Sequence, residues 1–377
     1  MRTLRDIRHL ENVPVLVRAA LNVPVADGTV TNTFRLRSAL PTIEYLRSRH
    51  ARVILIGHLG DKSTESFLPV YEALKGFIPG IKFCDSAVGK AAREAVRDLV
   101  PGDVLLLENL RRHAGEKGND PAFAAELASL ADAFVMDSFD VCHRTHASVV
   151  GVPELLPSYA GLQVEREVKE LSKGLRPRRP ALAIIGGAKF ATKEALLSVL
   201  LDSYDHVFVG GALANDFMQA LGQSVGTSLV SGADHAAIEK LLHNQKLRLP
   251  IDYVVAPLGS EREEGHLAGV TIVSNTEAIL DNGPKTLEML GALVADAKTI
   301  LWNGPLGNYE KGFTDGTEAL ARLIATSKAH SIVGGGDTIA AIEKLGLDEH
   351  FSFISTGGGA MLDFLADGSL PGIEALQ

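Results

Sequence analysis

Val333-Gly-Gly-Gly-Asp-Thr338 and Ser355-Thr-Gly-Gly-Gly-Ala360 repeat one pattern near the end of the chain. Each glycine triplet follows a short strand-forming run, Ser331-Ile-Val333 in one case and Phe351-Ser-Phe-Ile354 in the other. Each leads into a stretch of helical character, from Ile339 and from Met361. Strand, glycine turn and helix is the geometry in which backbone N–H groups and a helix N-terminus face an anion. Without Cβ atoms, glycines let a phosphate approach the main chain closely. One such turn is equally well a tight connection in an α/β sheet, but two favour a phosphate-rich ligand. Neither follows the Walker pattern, and no G-x-G-x-x-G occurs in the chain, so the two commonest nucleotide fingerprints do not apply.

Outward from these turns, apolar runs alternate with amphipathic stretches. Strands are expected near 13–17, 52–56, 103–107, 133–136, 181–185, 206–209, 252–256, 299–302 and 331–333. Helices are expected at 37–49, 121–130, 193–201, from 277 onward, and at 316–327. Alternation of this kind reads as βα units on parallel sheets, with functional loops at the C-terminal edges of the strands. Residues 158–173 read as a charged helix, and Pro177 and Pro180 stop it before a new strand. The expected plan is α/β, with a domain over 1–157, a connecting helix over 158–174 and a second domain from 175. Loops are expected at 118–120 and 259–269.

Bulk composition is consistent with this plan. A chain of 377 residues exceeds what one hydrophobic core ordinarily serves. Its 46% hydrophobic and 22% charged residues are ordinary for a globular protein. A net charge of −9 argues against a nucleic-acid partner, though a local cationic cluster still suits a small anion. Two cysteines, Cys84 and Cys142, suggest a reducing compartment. The N-terminal residues carry no signal-like apolar core, and no apolar run is long enough to span a bilayer. A cytoplasmic protein without a membrane partner is expected.

In the first half, basic and polar residues stand at strand ends: Arg18 and Asn22, then Arg35, His58, Arg111 to His113, and His143, Arg144 and His146. Singly, each reads as a solvated arginine or a satisfied histidine; together they read as one anion pocket. Metal ligation by His143 and His146 is the alternative, with only Cys142 nearby to complete a set. In the second half, Gly186-Gly-Ala-Lys189 and Lys193 suit a phosphate chain. Gly210 and Gly211, and Asn303 with Gly304, mark two more glycine turns that would leave a flat surface for a base or ribose. Glu310 offers a carboxylate to ribose hydroxyls, and Asp337 a hard oxygen for Mg²⁺.

Several strings, in order, resemble the phosphoglycerate kinase family over nearly the whole chain. They are Asn22-Val-Pro24, Ala39-Leu-Pro-Thr-Ile43, His58-Leu-Gly60, Leu105-Leu-Leu-Glu-Asn-Leu-Arg111, His143-Arg-Thr-His-Ala-Ser148, Gly186-Gly-Ala-Lys189, Trp302-Asn-Gly-Pro305, the two glycine triplets and Leu370-Pro-Gly-Ile373. The resemblance implies two Rossmann-like three-layer domains with mostly parallel sheets, facing across a hinge-closing cleft. It implies a nucleotide domain over 175–358 and a segment over 359–377 returning to the first domain. It implies a monomer that moves a phosphoryl group between 1,3-bisphosphoglycerate and ADP, with Mg²⁺ carried on ADP or ATP. Arg18, Asn22, Arg35, His58, Arg111, Arg144 and His146 would then bind the acid substrate. Gly186, Lys189, Lys193, Gly210, Gly211, Asn303, Glu310, Gly334, Gly335, Gly336, Asp337 and Thr338 would bind nucleotide, Asp337 also serving the metal. Arg35, Lys193, Gly357 and Gly358 would surround the moving group.

The chain also departs from the family. Ala20 stands where a carboxylate is expected to accept the substrate hydroxyl, and Asp61-Lys62 where Arg-Pro is usual. Asp140-Val-Cys142 replaces Gly-Thr-Ala, Ala212 a glycine, and Asn215-Asp216 an aromatic-Thr pair. A unit charge close to a phosphate is worth about 4 kcal/mol at an effective dielectric of about 20, so Asp61 bears directly on affinity. Lys62 swinging inward, or Arg112 in place of an aromatic residue, would restore positive charge. The alternatives are a related acyl-phosphate kinase with another acid substrate, and a catalytically weak nucleotide-binding paralogue.

Overall fold

The computed structural model describes every residue except Lys189, Val270, Thr271 and Gln377. The chain divides into two compact units, Met1–Lys169 with Ser369–Gln377, and Glu170–Gly368. Each is a mixed α/β unit built on a six-stranded parallel sheet.

In the first unit the strands lie in the order 82–84, 104–107, 52–56, 14–19, 133–137, 158–160. Every residue of Pro14–Ala19 and Ala133–Asp137 is buried, as a parallel sheet covered on both faces requires. On one face Val15, Val17, Val53, Leu55 and Leu106 meet Leu36, Ile43 and Leu46 of the helix Phe34–Ser48. The winding direction reverses between Pro14–Ala19 and Ala133–Asp137. Crevices at the carboxyl ends of strands flanking such a reversal are where doubly wound sheets bind ligands. Arg18 lies there, in register with Ile56 on one neighbour and Met136 on the other.

The second unit carries the strand order 247–248, 206–209, 181–185, 299–303, 330–334, 353–354. Counted along the chain this is 3-2-1-4-5-6, the dinucleotide-fold order, with its reversal between Ala181–Ile185 and Thr299–Asn303. Ile184, Phe208 and Trp302 pack with Leu290, Val294, Leu320 and Ile324 from two helices on one face. The helices Glu194–Ser203 and Gly359–Asp367 pack together as a separate pair.

Five expectations are corrected. Residues 277–282 form a strand, not a helix, pairing antiparallel with Asp252–Pro257, which also pairs with His266–Gly269. The helix begins only at Pro284, whose fixed φ suits a first turn. The stretch near 252–256 therefore lies outside the parallel sheet, and the loop expected at 259–269 ends in a strand. The connecting stretch from 158 opens as strand Ser158–Ala160, and its helix is Leu162–Leu175. Finally, helix Gly359–Asp367 stays in the second unit, and the segment joining the first starts at Ser369. There Gly372 N–H donates to Cys142 carbonyl (2.8 Å) and Arg2 N–H to Leu376 carbonyl (3.1 Å). A Cβ on Gly372 would fall 2.9 Å from Cys142 Cα, so the tail braces the segment leading to His143 only as glycine.

Candidate active site

At the reversal in the first sheet, Arg18 is fully buried. Its Nε donates to Ser148 Oγ (2.9 Å), its Nη1 to Ala19 carbonyl (3.1 Å), and its Nη2 faces His58 Nδ1 (3.0 Å). A guanidinium only donates, so His58 accepts at Nδ1 and is neutral. Burial, and then Arg18, hold His58 well below the usual histidine range. Ser148 lies in a π-helical turn, Ala147–Gly151, and its hydroxyl donates a hydrogen bond to Glu116 Oε1 (2.6 Å). Glu116 Oε2 accepts from Ser148 N–H (3.0 Å). Arg18, Ser148 and Glu116 thus form a buried hydrogen-bonded chain. Sequence pattern gave no signal for Glu116, a lone glutamate in a polar stretch that folds as the short helix Ala114–Lys117.

Asn22 and Arg35 are joined at the next edge. Asn22 carbonyl accepts from Arg35 Nη1 (2.7 Å), and Asn22 Oδ1 from Gly60 N–H (2.9 Å). Asp140 Oδ2 lies 3.9 Å from the same guanidinium nitrogen, and Asp140 Oδ1 accepts from Ser138 hydroxyl (2.5 Å). A buried carboxylate therefore stands just beyond Ala133–Asp137, the strand beside the one that leads to Ala20.

Arg111 is buried, with Nε and Nη2 lacking hydrogen-bond partners among the described residues. Its Nη1 reaches Asp61 Oδ1 at 3.1 Å, and Lys117 Nζ lies 3.3 Å from the same oxygen. Asp61 thus pairs with the pocket's own cations while its side chain stays 78% exposed. Arg112 adds no charge here, because its Nη1 is committed to Glu108 Oε2 (2.8 Å). Glu108 in turn accepts from Ser66 hydroxyl and Phe67 N–H, so Arg112 serves a structural carboxylate. Lys62 is exposed. Arg144 Nε donates to His143 Nε2 (3.3 Å). His146 is pushed down to about 4, first by burial and then by Arg111, Arg144, Arg18 and Lys117. Arg18, His58, Arg111, Arg144 and His146 therefore share one cationic field. Among the described residues no set of His, Cys, Asp or Glu is arranged to hold a metal, and zinc at His143 and His146 has no support.

At the reversal in the second sheet, two strand ends touch through bare backbone. Gly186 N–H donates to Asn303 carbonyl (2.8 Å), and a Cβ on Gly186 would fall 2.2 Å from Pro305 carbonyl oxygen. Gly211, at φ +61°, would place a Cβ 2.9 Å from Gly187 N. The glycines are thus required by strand-end packing as well as by any ligand. Lys193 precedes helix Glu194–Ser203, is 8% exposed, and donates from Nζ to Gly186 carbonyl. Burial pushes it down to about 8. Lys189 lies outside the described residues. Thr338 hydroxyl accepts from Gly304 N–H (3.1 Å), tying the first glycine triplet to the Asn303 turn. Gly335, at φ +100°, turns the chain into helix Gly336–Lys344, whose first turn carries Asp337.

A cavity of about 370 Å³ opens beside this reversal, lined by Gly187, Gly211, Asn215, Leu258, Leu306, Glu310 and Asp337 among others. That is the scale of a small-molecule site. Asp337 is raised by burial and then by Glu310. Gly210, Asn303 and Gly334 are not among the lining residues. Gly357 and Gly358 are not among the lining residues. They precede helix Gly359–Asp367, where Gly357 N–H donates to Ser355 hydroxyl (3.0 Å) and Gly358 adopts φ +54°.

Comparison with known proteins gives one answer. A family model described as phosphoglycerate kinase matches residues 4–368. The phosphoglycerate kinase of Moorella thermoacetica is 42% identical, over 99% of this chain and 98% of that protein. That of Thermus thermophilus is 44% identical, over all of both chains. The crystal structure of phosphoglycerate kinase from Pyrococcus horikoshii superposes with a TM-score of 0.91 at 30% identity, covering 100% of this chain and 98% of that one. The Coxiella burnetii enzyme superposes with a TM-score of 0.85 at 37% identity, covering 99% and 98%.

Proposed function

This chain belongs to the phosphoglycerate kinase family, and on that premise we propose that it transfers a phosphoryl group reversibly between 1,3-bisphosphoglycerate and ADP. The products are 3-phosphoglycerate and ATP, a step of glycolysis. One observation carries the reading: each sheet's reversal point holds one half of the needed chemistry. The first has a cationic pocket, the second a glycine-walled cavity with a buried lysine and an acidic helix start.

In this reading Arg18, Asn22, His58, Arg111, Arg144 and His146 hold or support the acid substrate. Arg18 acts through His58 and Ser148, since its guanidinium is already engaged. Arg35 spans the substrate carboxylate and the moving phosphoryl group. Gly186, Lys189, Lys193, Gly210, Gly211, Asn303, Glu310, Gly334, Gly335, Gly336, Asp337 and Thr338 form the nucleotide side. Lys193 and the amides of Gly357 and Gly358 offer positive charge to the transferring oxygens. The acyl P–O bond breaks as a bond to the terminal ADP oxygen forms. The leaving carboxylate is a stable anion at neutral pH, so no general base is required. The residues must instead supply alignment, charge and exclusion of water.

The Asp337 carboxylate, raised by burial and then by Glu310, fits Mg²⁺, which takes one or two carboxylates together with phosphates and waters. Bound as part of the nucleotide complex, the ion would neutralise phosphate charge. The alternative acid-substrate reading has less support, because full-length relatives above 40% identity carry the phosphoglycerate kinase name. Within the same proposal the protein is a cytoplasmic monomer, and buried, unpaired Cys84 and Cys142 suit a reducing compartment. Hydroxylamine trapping tests the reaction. Incubation with Mg·ATP and 3-phosphoglycerate is expected to give an acyl hydroxamate. Its absence, with ATP intact, contradicts the proposal.

A further inference from the structure

The pocket at the first sheet's reversal is rich in donors and poor in open acceptors. Arg18, Arg35, Arg111, Arg144 and Lys117 can only donate. Its acceptors are mostly engaged within the protein. Asn22 Oδ1 takes Gly60 N–H, and both Glu116 oxygens take Ser148. Glu108 takes Ser66, Phe67 and Arg112, and Asp61 lies against Arg111 and Lys117. Asp140 is different. It stands in the turn Phe139–Val141, is 8% exposed, and accepts at Oδ1 from Ser138 hydroxyl (2.5 Å), which fixes the side chain. Its Oδ2 has no hydrogen-bond partner among the described residues, and it is not sealed from solvent as the Arg111 nitrogens are. That oxygen lies 3.9 Å from Arg35 Nη1, too far for a hydrogen bond. Burial lowers Arg18, and Glu116 and then Asp140 offset part of the effect, so Asp140 acts in the same field.

The proposed acid substrate carries a hydroxyl on the carbon next to its carboxylate. That hydroxyl is a donor, and once stripped of water it needs an acceptor that the pocket's cations cannot supply. Ala20 supplies none. Arg35 is assigned the substrate carboxylate, and Asp140 Oδ2 stands beside that guanidinium, so a hydroxyl one carbon away comes within its reach. We propose that Asp140 determines specificity for a 2-hydroxy acid, its Oδ2 accepting the hydrogen bond of the substrate's 2-hydroxyl. An acid without that hydroxyl would leave the Asp140 oxygen unpaired beside a second carboxylate. Sites built to hydrogen-bond a hydroxyl reject the analogue lacking it for this reason. The inference rests on the proposed reaction and goes beyond it, because Asp140 stands where the family has a glycine.

Initial rates of acyl hydroxamate formation by the full chain, with Mg·ATP, test this on two acids. One is 3-phosphoglycerate; the other is the phosphate ester of 3-hydroxypropanoate, the same acid without its 2-hydroxyl. The wild type is expected to favour 3-phosphoglycerate in kcat/KM by about tenfold or more. In Asp140→Ala the ratio is expected to collapse toward one, the analogue gaining as a like charge leaves the pocket. Asp140→Asn, of nearly the same volume, is expected to fall between the two, because a neutral hydrogen bond is weaker. Each ratio is taken within one protein, so a loss of overall stability does not produce it. Both acids carry the same charges, so a purely electrostatic role cancels in it. No preference in the wild type, or an unchanged ratio in the variants, overturns the role of Asp140 while leaving the reaction in place. No hydroxamate from either acid with the wild type overturns the proposed reaction, and this assignment with it.

Discussion

Asp61 is where charge and function pull in opposite directions. Its carboxylate lies against Arg111 and Lys117, and those cations hold it below the usual carboxylate range, the hydrogen bond from Lys117 first. An incoming phosphate must compete with that carboxylate for Arg111. Asp61 is mostly exposed, so solvent screens the pair and its worth is about 1 kcal/mol or less. The substitution Asp61→Asn is expected to lower the KM for 3-phosphoglycerate by about fivefold at low salt, with kcat little changed, and less at high salt. Steady-state kinetics at two ionic strengths checks this; a raised KM would mean that Asp61 assists binding. The departure at residue 61 is visible in sequence, but its outcome is not. Lys117, which decides where the carboxylate points, is remote along the chain, and Arg112 is diverted by Glu108. The same holds for Asp140, whose proximity to Arg35 depends on the first turn of helix Phe34–Ser48 meeting the turn that follows Ala133–Asp137.

Helix Leu162–Leu175 illustrates how an element is set by a group the sequence hides. Asp137, the last residue of its strand, is fully buried and accepts from Gln163 N–H at the helix start (2.9 Å). A Cβ on Gly161 would fall 2.1 Å from Asp137 Oδ1, so the glycine makes room for this contact. Burial pushes Asp137 up to about 8. With its folded value raised from 3.8, the folded chain keeps a proton that the unfolded chain has lost across that window. The resulting stability is full below the unfolded value and is lost as pH rises through about 8. Asp137→Asn removes this titration. Its stability relative to wild type is therefore expected to improve steadily from pH ~5 to pH ~8. Urea unfolding across that range checks it, and a constant difference would place the proton elsewhere. Element types were largely legible: strands near 52–56, 133–136, 181–185 and 206–209 fall where apolar runs place them. Residues 277–282 were not, because a short Ala-Ile-Leu run suits helix and strand alike until its antiparallel partner is known. Glycine turns were legible as positions, yet Gly186 and Gly304 answer to each other's backbone as much as to a ligand.

At the scale of the molecule, the proposed reaction draws each ligand to a different unit. Hydrogen exchange reads this directly. Mg·ADP is expected to slow amides around 186–193 and 334–338, and 3-phosphoglycerate those around 58–62 and 111–117. Protection by 3-phosphoglycerate confined to the second unit would contradict the assignment. The parallel sheets followed from the βα alternation, whereas their strand order, with its reversal points, and the added antiparallel sheet did not. The central claim is that Ala20 and Asp61 leave a working phosphoglycerate kinase. The most direct measurement is steady-state turnover in the glyceraldehyde-3-phosphate dehydrogenase-coupled assay, which reports 1,3-bisphosphoglycerate through NADH oxidation. Saturable turnover that requires both Mg·ATP and 3-phosphoglycerate, and is lost in Arg35→Ala, is the expected result. Nucleotide binding without any turnover on 3-phosphoglycerate would contradict it.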